Sequence, residues 1–95
     1  MIKKIDQVTG PDGLVRPAAQ ENHINEAFFE TFKGASAERV LNYLRSITLN
    51  IVNGPEASDA AIRHREGMRD LMRIINARIE TGEVNYRTKV ETNDG

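Results

Sequence analysis

The feature that most limits what this chain can fold into is the stretch from Glu66 to Ile75, EGMRDLMRII. It lies inside the longest predicted helix, from about Asp59 to about Thr81. At about 100° per residue, Met68, Leu71, Met72, Ile75 and Ile79 fall on one broad apolar face. Arg65, Arg69 and Arg73 form a second stripe, and Glu66 and Asp70 a third, within i+3 reach of Arg69 and Arg73. An apolar face of that width has to be covered, and the preceding sequence supplies the partners.

Two helices are expected before it. The first runs from about Ala18 or Asn22 to Phe32, with Ile24, Ala27, Phe28, Phe32 and also Phe29 on its apolar side. Lys33-Gly34 ends it, Gly34 being suited to a positive-φ position. Ser36 reads as the N-cap of the second helix, with Glu38 favourable in its first turn. Val40, Leu41, Leu44, Ile47 and Ile51 repeat at helical spacing, and Tyr43, Leu49 and Val52 widen the apolar surface beyond what a two-helix hairpin needs. The β-branched set Ile47, Thr48, Ile51 and Val52 weakens helicity near the end. Gly54 and Pro55 stop the helix, Gly54 through positive φ. Ser58 reads as the N-cap of the third helix and Thr81-Gly82 as its end. Gly67, in mid-helix, costs about 1 kcal/mol against Ala, which points to close approach of another helix, with a kink or hinge as the alternative.

The expected fold is therefore all-α: a three-helix domain over 18–82, built on an antiparallel hairpin of the second and third helices. The first packs across it through its phenylalanines. Phe28, Phe32, Leu41, Leu44, Leu71 and Ile75 are the expected core. Residues 1–17 read as an extended polar N-terminal arm with a turn at Gly10–Gly13, and 83–95 as an extended polar C-terminal tail.

Composition narrows the function more by exclusion than by assignment. The chain of 95 residues has no cysteine, hence no disulfide framework, thiolate metal site or Cys nucleophile, which fits a reducing cytoplasm. A net charge of −1 gives no bulk attraction to nucleic acid or anionic lipid. The start, MIKKID, lacks the apolar region of a signal peptide, and no apolar run approaches membrane-spanning length, so a soluble protein is expected. His23 and His64 are the only histidines, and neither has the spaced partner of a metal site. Glu26, Glu30, Glu66 and Asp70 are carboxylates that fit solvated faces and ion pairs better than acid–base chemistry. The Gly10–Gly13 turn lacks the Gly-Lys-Ser/Thr ending of a phosphate loop. Arg63, Arg65, Arg69, Arg73 and Arg78 are the strongest electrostatic feature. Acidic residues interleave with them and no aromatic platform sits among them, so protein carboxylates suit them better than a phosphate backbone. No cofactor is implied and no enzyme is expected.

Three segments read together give a resemblance: Phe28 to Gly34 (FFETFKG), Arg39 to Leu44 (RVLNYL) and Arg65 to Ile74 (REGMRDLMRI). The pattern resembles a family of small phage proteins typified by a member of the structural-gene cluster of a Bordetella podophage. The likeness covers about Ala27 to Ile79. It departs from the family in the short linker from Asn50 to Ala57, where the usual aromatic residues are missing. The resemblance implies a phage or prophage origin and a non-enzymatic part in the virion, at the head, head–tail junction or tail, or ejected with DNA. Such a protein would be made in the host cytoplasm and act on other virion proteins as a homo-oligomer or in multiple copies, with no membrane partner. The alternative expectation is an intracellular binding module or inhibitor of a host factor, contacting an acidic partner or nucleic acid through Arg65, Arg69 and Arg73. In either case the expected site is an interface, with Tyr43, Arg65, Arg69, Arg73, Leu14, Val15 and Tyr86 as contact candidates.

Overall fold

The computed structural model describes residues 6–93; positions 1–5 of the expected arm and 94–95 of the expected tail lie outside the described residues. In chain order the elements are β1 (Gln7–Thr9), β2 (Val15–Pro17), α1 (Ala18–Thr31), α2 (Ala35–Ser46) and α3 (Asp59–Asn93). Helices dominate, as expected, but a two-stranded sheet is added to them.

That sheet replaces the described part of the N-terminal arm. Val8 faces Arg16 across an antiparallel pair, flanked by Gln7 opposite Pro17 and Thr9 opposite Val15. The turn between the strands is closed by Gly13 N–H donating to Gly10 O (3.0 Å), with Gly13 at φ 84°. The Leu14 N–H donates to Asp12 Oδ1 at 2.9 Å, the local side-chain turn that aspartate favours. The turn signal was legible; the strands it joins are too short and too polar to read as strands.

Gly34, at φ 97°, turns the chain from α1 into α2 and is itself the N-cap of α2. Ser36 therefore lies inside the first turn, where its Oγ accepts from Arg39 at 3.4 Å, rather than at the cap. Helix α2 stops at Ser46, short of Ile51. Ser46 Oγ donates to Tyr43 O (2.6 Å) and Thr48 Oγ1 to Leu44 O (2.7 Å). These bonds compete with the helical ladder just where the β-branched run begins. Gly54 does not take the positive φ expected of it; among the described residues only Gly13 and Gly34 do. Ser58 caps α3 as expected, accepting from the Ala61 N–H at 3.1 Å.

Two expectations about α3 are corrected. The helix does not end at Thr81-Gly82 but continues to Asn93, so 83–93 are helical and not an extended tail. Gly82 is a packing glycine: a Cβ there would lie 2.7 Å from Phe29 Cβ and collide with the Asn25 carbonyl of α1. Gly67, where close approach was expected, has nothing within 4 Å of the place a Cβ would occupy.

The tightest helix pair is accordingly α1 with α3, not α2 with α3. Glu21 meets Arg78, Phe29 meets Tyr86 and Glu26 meets Lys89, so the two helices run in the same direction. Helix α2 joins α3 through side chains: Arg45 Nη2 donates to Asn76 Oδ1 at 3.1 Å, and Leu44 and Ile47 approach Met68, Leu71, Met72 and Ile75.

The α1–α3 pairing is largely polar, with Glu21 and Asn25 the buried residues of α1. Among the described residues the buried apolar side chains are Leu41 and Met72. Phe28, Phe32, Leu44 and Ile75, expected in the core, are half-buried, and Leu71 is 59 % exposed. The reason is geometric. The molecule is flat, 56 × 39 × 15 Å between Cα extremes; two helix layers with axes about 8–10 Å apart already fill that thickness, and no third layer of described residues covers their outer faces.

Candidate interaction surfaces

The most ordered polar construction is a network that fastens the β-hairpin to both long-range helix partners. Arg78, 2 % exposed, donates from Nη1 to Glu21 Oε2 (2.5 Å) and to Asn25 Oδ1 (3.0 Å). Its Nη2 reaches Asp12 Oδ2 at 3.5 Å. Arg16 bridges the same two carboxylates, at 2.5 Å to Asp12 Oδ2 and 3.1 Å to Glu21 Oε1. Two guanidinium groups thus face two carboxylates, and among the described residues no buried side-chain nitrogen or oxygen lacks a partner. This satisfaction lets the charges remain in a half-dry site. The hydrogen bond from Arg16, followed by the one from the Leu14 backbone N–H, holds the Asp12 carboxyl well below the usual carboxylate range. Hydrogen bonding to Asp12 in turn raises Arg16 above its ordinary value.

The arginine stripe has a second internal duty. Arg69 Nη2 donates to the Ile51 carbonyl, and Arg65 Nη1 donates to Val52 O (3.3 Å) and Asn53 Oδ1 (3.2 Å). Both side chains therefore hold the segment after α2 against α3. Arg69 also pairs with Glu66 at 2.6 Å and Arg73 with Asp70 at 2.7 Å, the i+3 pairs legible in the sequence. Arg73 and Asp70 remain well exposed, beside a cleft of about 430 Å³ lined also by Pro11, Asp12, Ile74 and Ala77.

Other contact candidates divide in the same way. Tyr86 packs on Phe29, ring centroids 5.5 Å apart, with Lys33 Nζ 5.3 Å above the Phe29 ring. Glu26 pairs with Lys89 at 2.6 Å, and that hydrogen bond and charge lower its pKa. Tyr43, Leu14 and Val15 are each about three-fifths exposed, at 62 %, 60 % and 61 %. Phe28 and Phe32 stack on each other at 6.1 Å and, with Ala27 and Thr31, line an open apolar groove. A second apolar groove, about 200 Å³, lies between α2 and α3.

Sequence reasoning missed Asp12, Arg16, Glu21 and Asn25 as a set. The one local signal was Asp12 and Arg16 flanking the turn; Glu21 and Asn25 sit at i, i+4 on α1, a polar spacing that apolar periodicity does not register. No group of His, Asp and Glu that could hold a metal ion occurs among the described residues, and no helix there is long and apolar enough to cross a membrane. Comparison with family models, with curated proteins and with solved structures returns no match.

Proposed function

We propose that this chain is a small non-enzymatic assembly protein of a phage or prophage particle, acting in multiple copies through contacts with virion proteins. One observation carries the multi-copy part. The chain exposes 7193 Å², whereas a compact monomer of 10.7 kDa exposes about 5,500 Å². Its Cα radius of gyration is 17.0 Å, against about 12 Å for a compact chain of this length. The surplus of about 1,700 Å² exceeds the roughly 800 Å² that one partner contributes to a standard interface. A subunit whose apolar side chains stay half-covered is one that completes its burial against neighbours.

The particle part rests on the motif resemblance over Phe28–Gly34, Arg39–Leu44 and Arg65–Ile74. Val40, Leu41, Leu44, Gly67, Arg69 and Ile74 are its motif positions, and they act here as packing or loop-holding residues or stay exposed. The host-directed alternative draws less support, because Arg65 and Arg69, two of its three proposed contacts, are engaged within the chain.

The test is quantitative mass spectrometry of purified particles. The expected result is the chain at a fixed copy number per particle, retained through density-gradient purification. Particles that lack it would end the virion reading.

A further inference from the structure

We infer that the β-hairpin, residues 6–17, is a strap clamped by charge, which acid releases as a unit from α1 and α3 while those two helices stay paired. The inference goes beyond the assembly reading and does not depend on it.

The seat of the hairpin holds almost no apolar burial. Of residues 6–17, Gly10 is buried and Asp12 and Arg16 are half-buried; the others are exposed, Val8 at 37 %, Leu14 at 60 % and Val15 at 61 % among them. Undocking therefore uncovers little hydrophobic surface, and a segment with few buried apolar contacts is one that opens locally. What crosses to the helices is charge. Arg16 Nη1 donates to Glu21 Oε1 of α1 at 3.1 Å, and Arg78 Nη2 of α3 reaches Asp12 Oδ2 at 3.5 Å. The bond from the Ala18 N–H to the Asp6 carbonyl lies at the hinge, where Pro17 leads into α1. Shape completes the seat. A Cβ on Gly10 would lie 2.8 and 3.0 Å from the Glu21 carboxylate oxygens and 3.0 Å from Arg16 Nη1. The turn rests on that carboxylate because residue 10 has no side chain.

The helix pair keeps bonds of its own when the hairpin leaves. Arg78 Nη1 holds Glu21 and Asn25, Gly82 receives Phe29, and Lys89 pairs with Glu26. The turn also gives Pro11 and Asp12 to one wall of the cleft whose other wall is Asp70, Arg73, Ile74 and Ala77, so undocking uncovers that stretch of α3. Asp12 is the group that acid reaches. It faces Arg16 and the Leu14 N–H from its own hairpin, Arg78 from α3, and Glu21 from α1 through the two shared arginines, with Asp70 and Arg73 across the cleft. Protonation removes the anion that Arg78 holds in the hairpin. Because the Arg16 and Leu14 donors keep the carboxyl below its unfolded value, docking is complete above that value and is lost as pH falls through the folded one.

Hydrogen exchange of the full chain, followed by mass spectrometry, tests the inference. Peptides covering 6–17 are read against those covering 18–31 and 78–93. In the wild type near neutral pH the hairpin is expected to be protected, yet to open at denaturant concentrations that leave both helix segments protected, because a lone two-stranded hairpin does not hold its own amides. Gly10→Ala, which changes no charge, is expected to lower hairpin protection about tenfold and to leave the helix segments within about twofold. Asp12→Asn, which mimics the protonated state, is expected to do the same near neutral pH and to shallow the fall in hairpin protection that the wild type shows below about pH 4. Arg87→Ala, which breaks the exposed pair with Glu83, is expected to change nothing. Hairpin and helix segments that lose protection together, a hairpin unprotected near neutral pH, or hairpin protection untouched by both Gly10→Ala and Asp12→Asn overturns the proposal. Should either variant fail to fold, the wild-type denaturant series decides alone.

Discussion

Arg78 is the side chain on which the hairpin, α1 and α3 jointly depend. It sits 2 % exposed between Glu21 and Asn25 and reaches Asp12 across the turn. Removing Arg78 takes from the buried Glu21 the closer of its two guanidinium partners and leaves Arg16 at 3.1 Å; breaking a buried pair costs up to about 3–5 kcal/mol. Arg78→Met is therefore expected to lose up to that much in urea unfolding followed by circular dichroism, a large fraction of the roughly 5–15 kcal/mol that holds a domain together. Arg73→Ala breaks a pair whose side chains are 58 % and 69 % exposed and is expected to lose less than about 1 kcal/mol. The same network sets an acid limit. Arg16 and the Leu14 N–H depress the Asp12 carboxyl, so its folded pKa lies below its unfolded value of about 3.9. Its stabilisation is complete above the unfolded value and is lost as pH falls through the folded one. Melting temperature is expected to be flat, as far as Asp12 is concerned, from about pH 8 to about pH 5 and to fall below about pH 4. Asp12→Asn should lower the plateau and shallow the acid limb, which a melting series across pH reads directly.

At the scale of elements, the fold turns on which glycine receives a neighbouring helix. Gly82 does: its missing Cβ is the space that Asn25 and Phe29 occupy. Alanine there improves helix propensity by about 1 kcal/mol yet overpacks the α1–α3 contact, and overpacking costs about 1–3 kcal/mol. Gly82→Ala is expected to be net destabilising. Hydrogen exchange should show why, with protection falling in α1 before it falls in the first half of α3. What sequence could reveal follows the range of each interaction. The start of α3 was legible because Ser58 and Ala61 lie within one turn, and so were the pairs Glu66–Arg69 and Asp70–Arg73. The end of α3 was not. A glycine that terminates a helix and a glycine that admits another helix look alike in a string of letters. Only Asn25 and Phe29, far away in the chain, distinguish them. The α1–α3 pairing was hidden for a related reason. Glu21 and Arg78 are 57 positions apart, and the face of α1 that they join is polar, whereas a reading by hydrophobic periodicity sends Phe28 and Phe32 inward. Those rings are half-buried beside an open groove, so the apolar stripe marked a partly covered surface and not the interior. The contact candidates Arg65, Arg69 and Tyr86 also have partners that the sequence did not reveal. These are the segment after α2 for the arginines and Phe29 for the tyrosine, which itself stays 53 % exposed.

For the whole molecule, the flat shape leaves little apolar surface covered within one chain. A slab 15 Å thick between Cα extremes, with Leu41 and Met72 as its buried apolar residues among those described, has little hydrophobic burial of its own. Its polar network supplies specificity of arrangement more than net free energy. Stability should then come in part from association, and association makes the melting temperature rise with chain concentration. Small-angle scattering separates this account from collapse of the isolated chain into a compact bundle. Under dilute conditions, where the chain is monomeric, the radius of gyration is expected near the 17.0 Å of the Cα frame, slightly larger once hydration is included. It should not approach the roughly 12 Å of a compact chain of this length. Raising the concentration should increase the forward-scattering mass in step with the melting temperature. A dilute radius near the compact value would mean that α1 and α2 close over α3 without a partner. The surplus surface from which the multi-copy role is argued would then be absent.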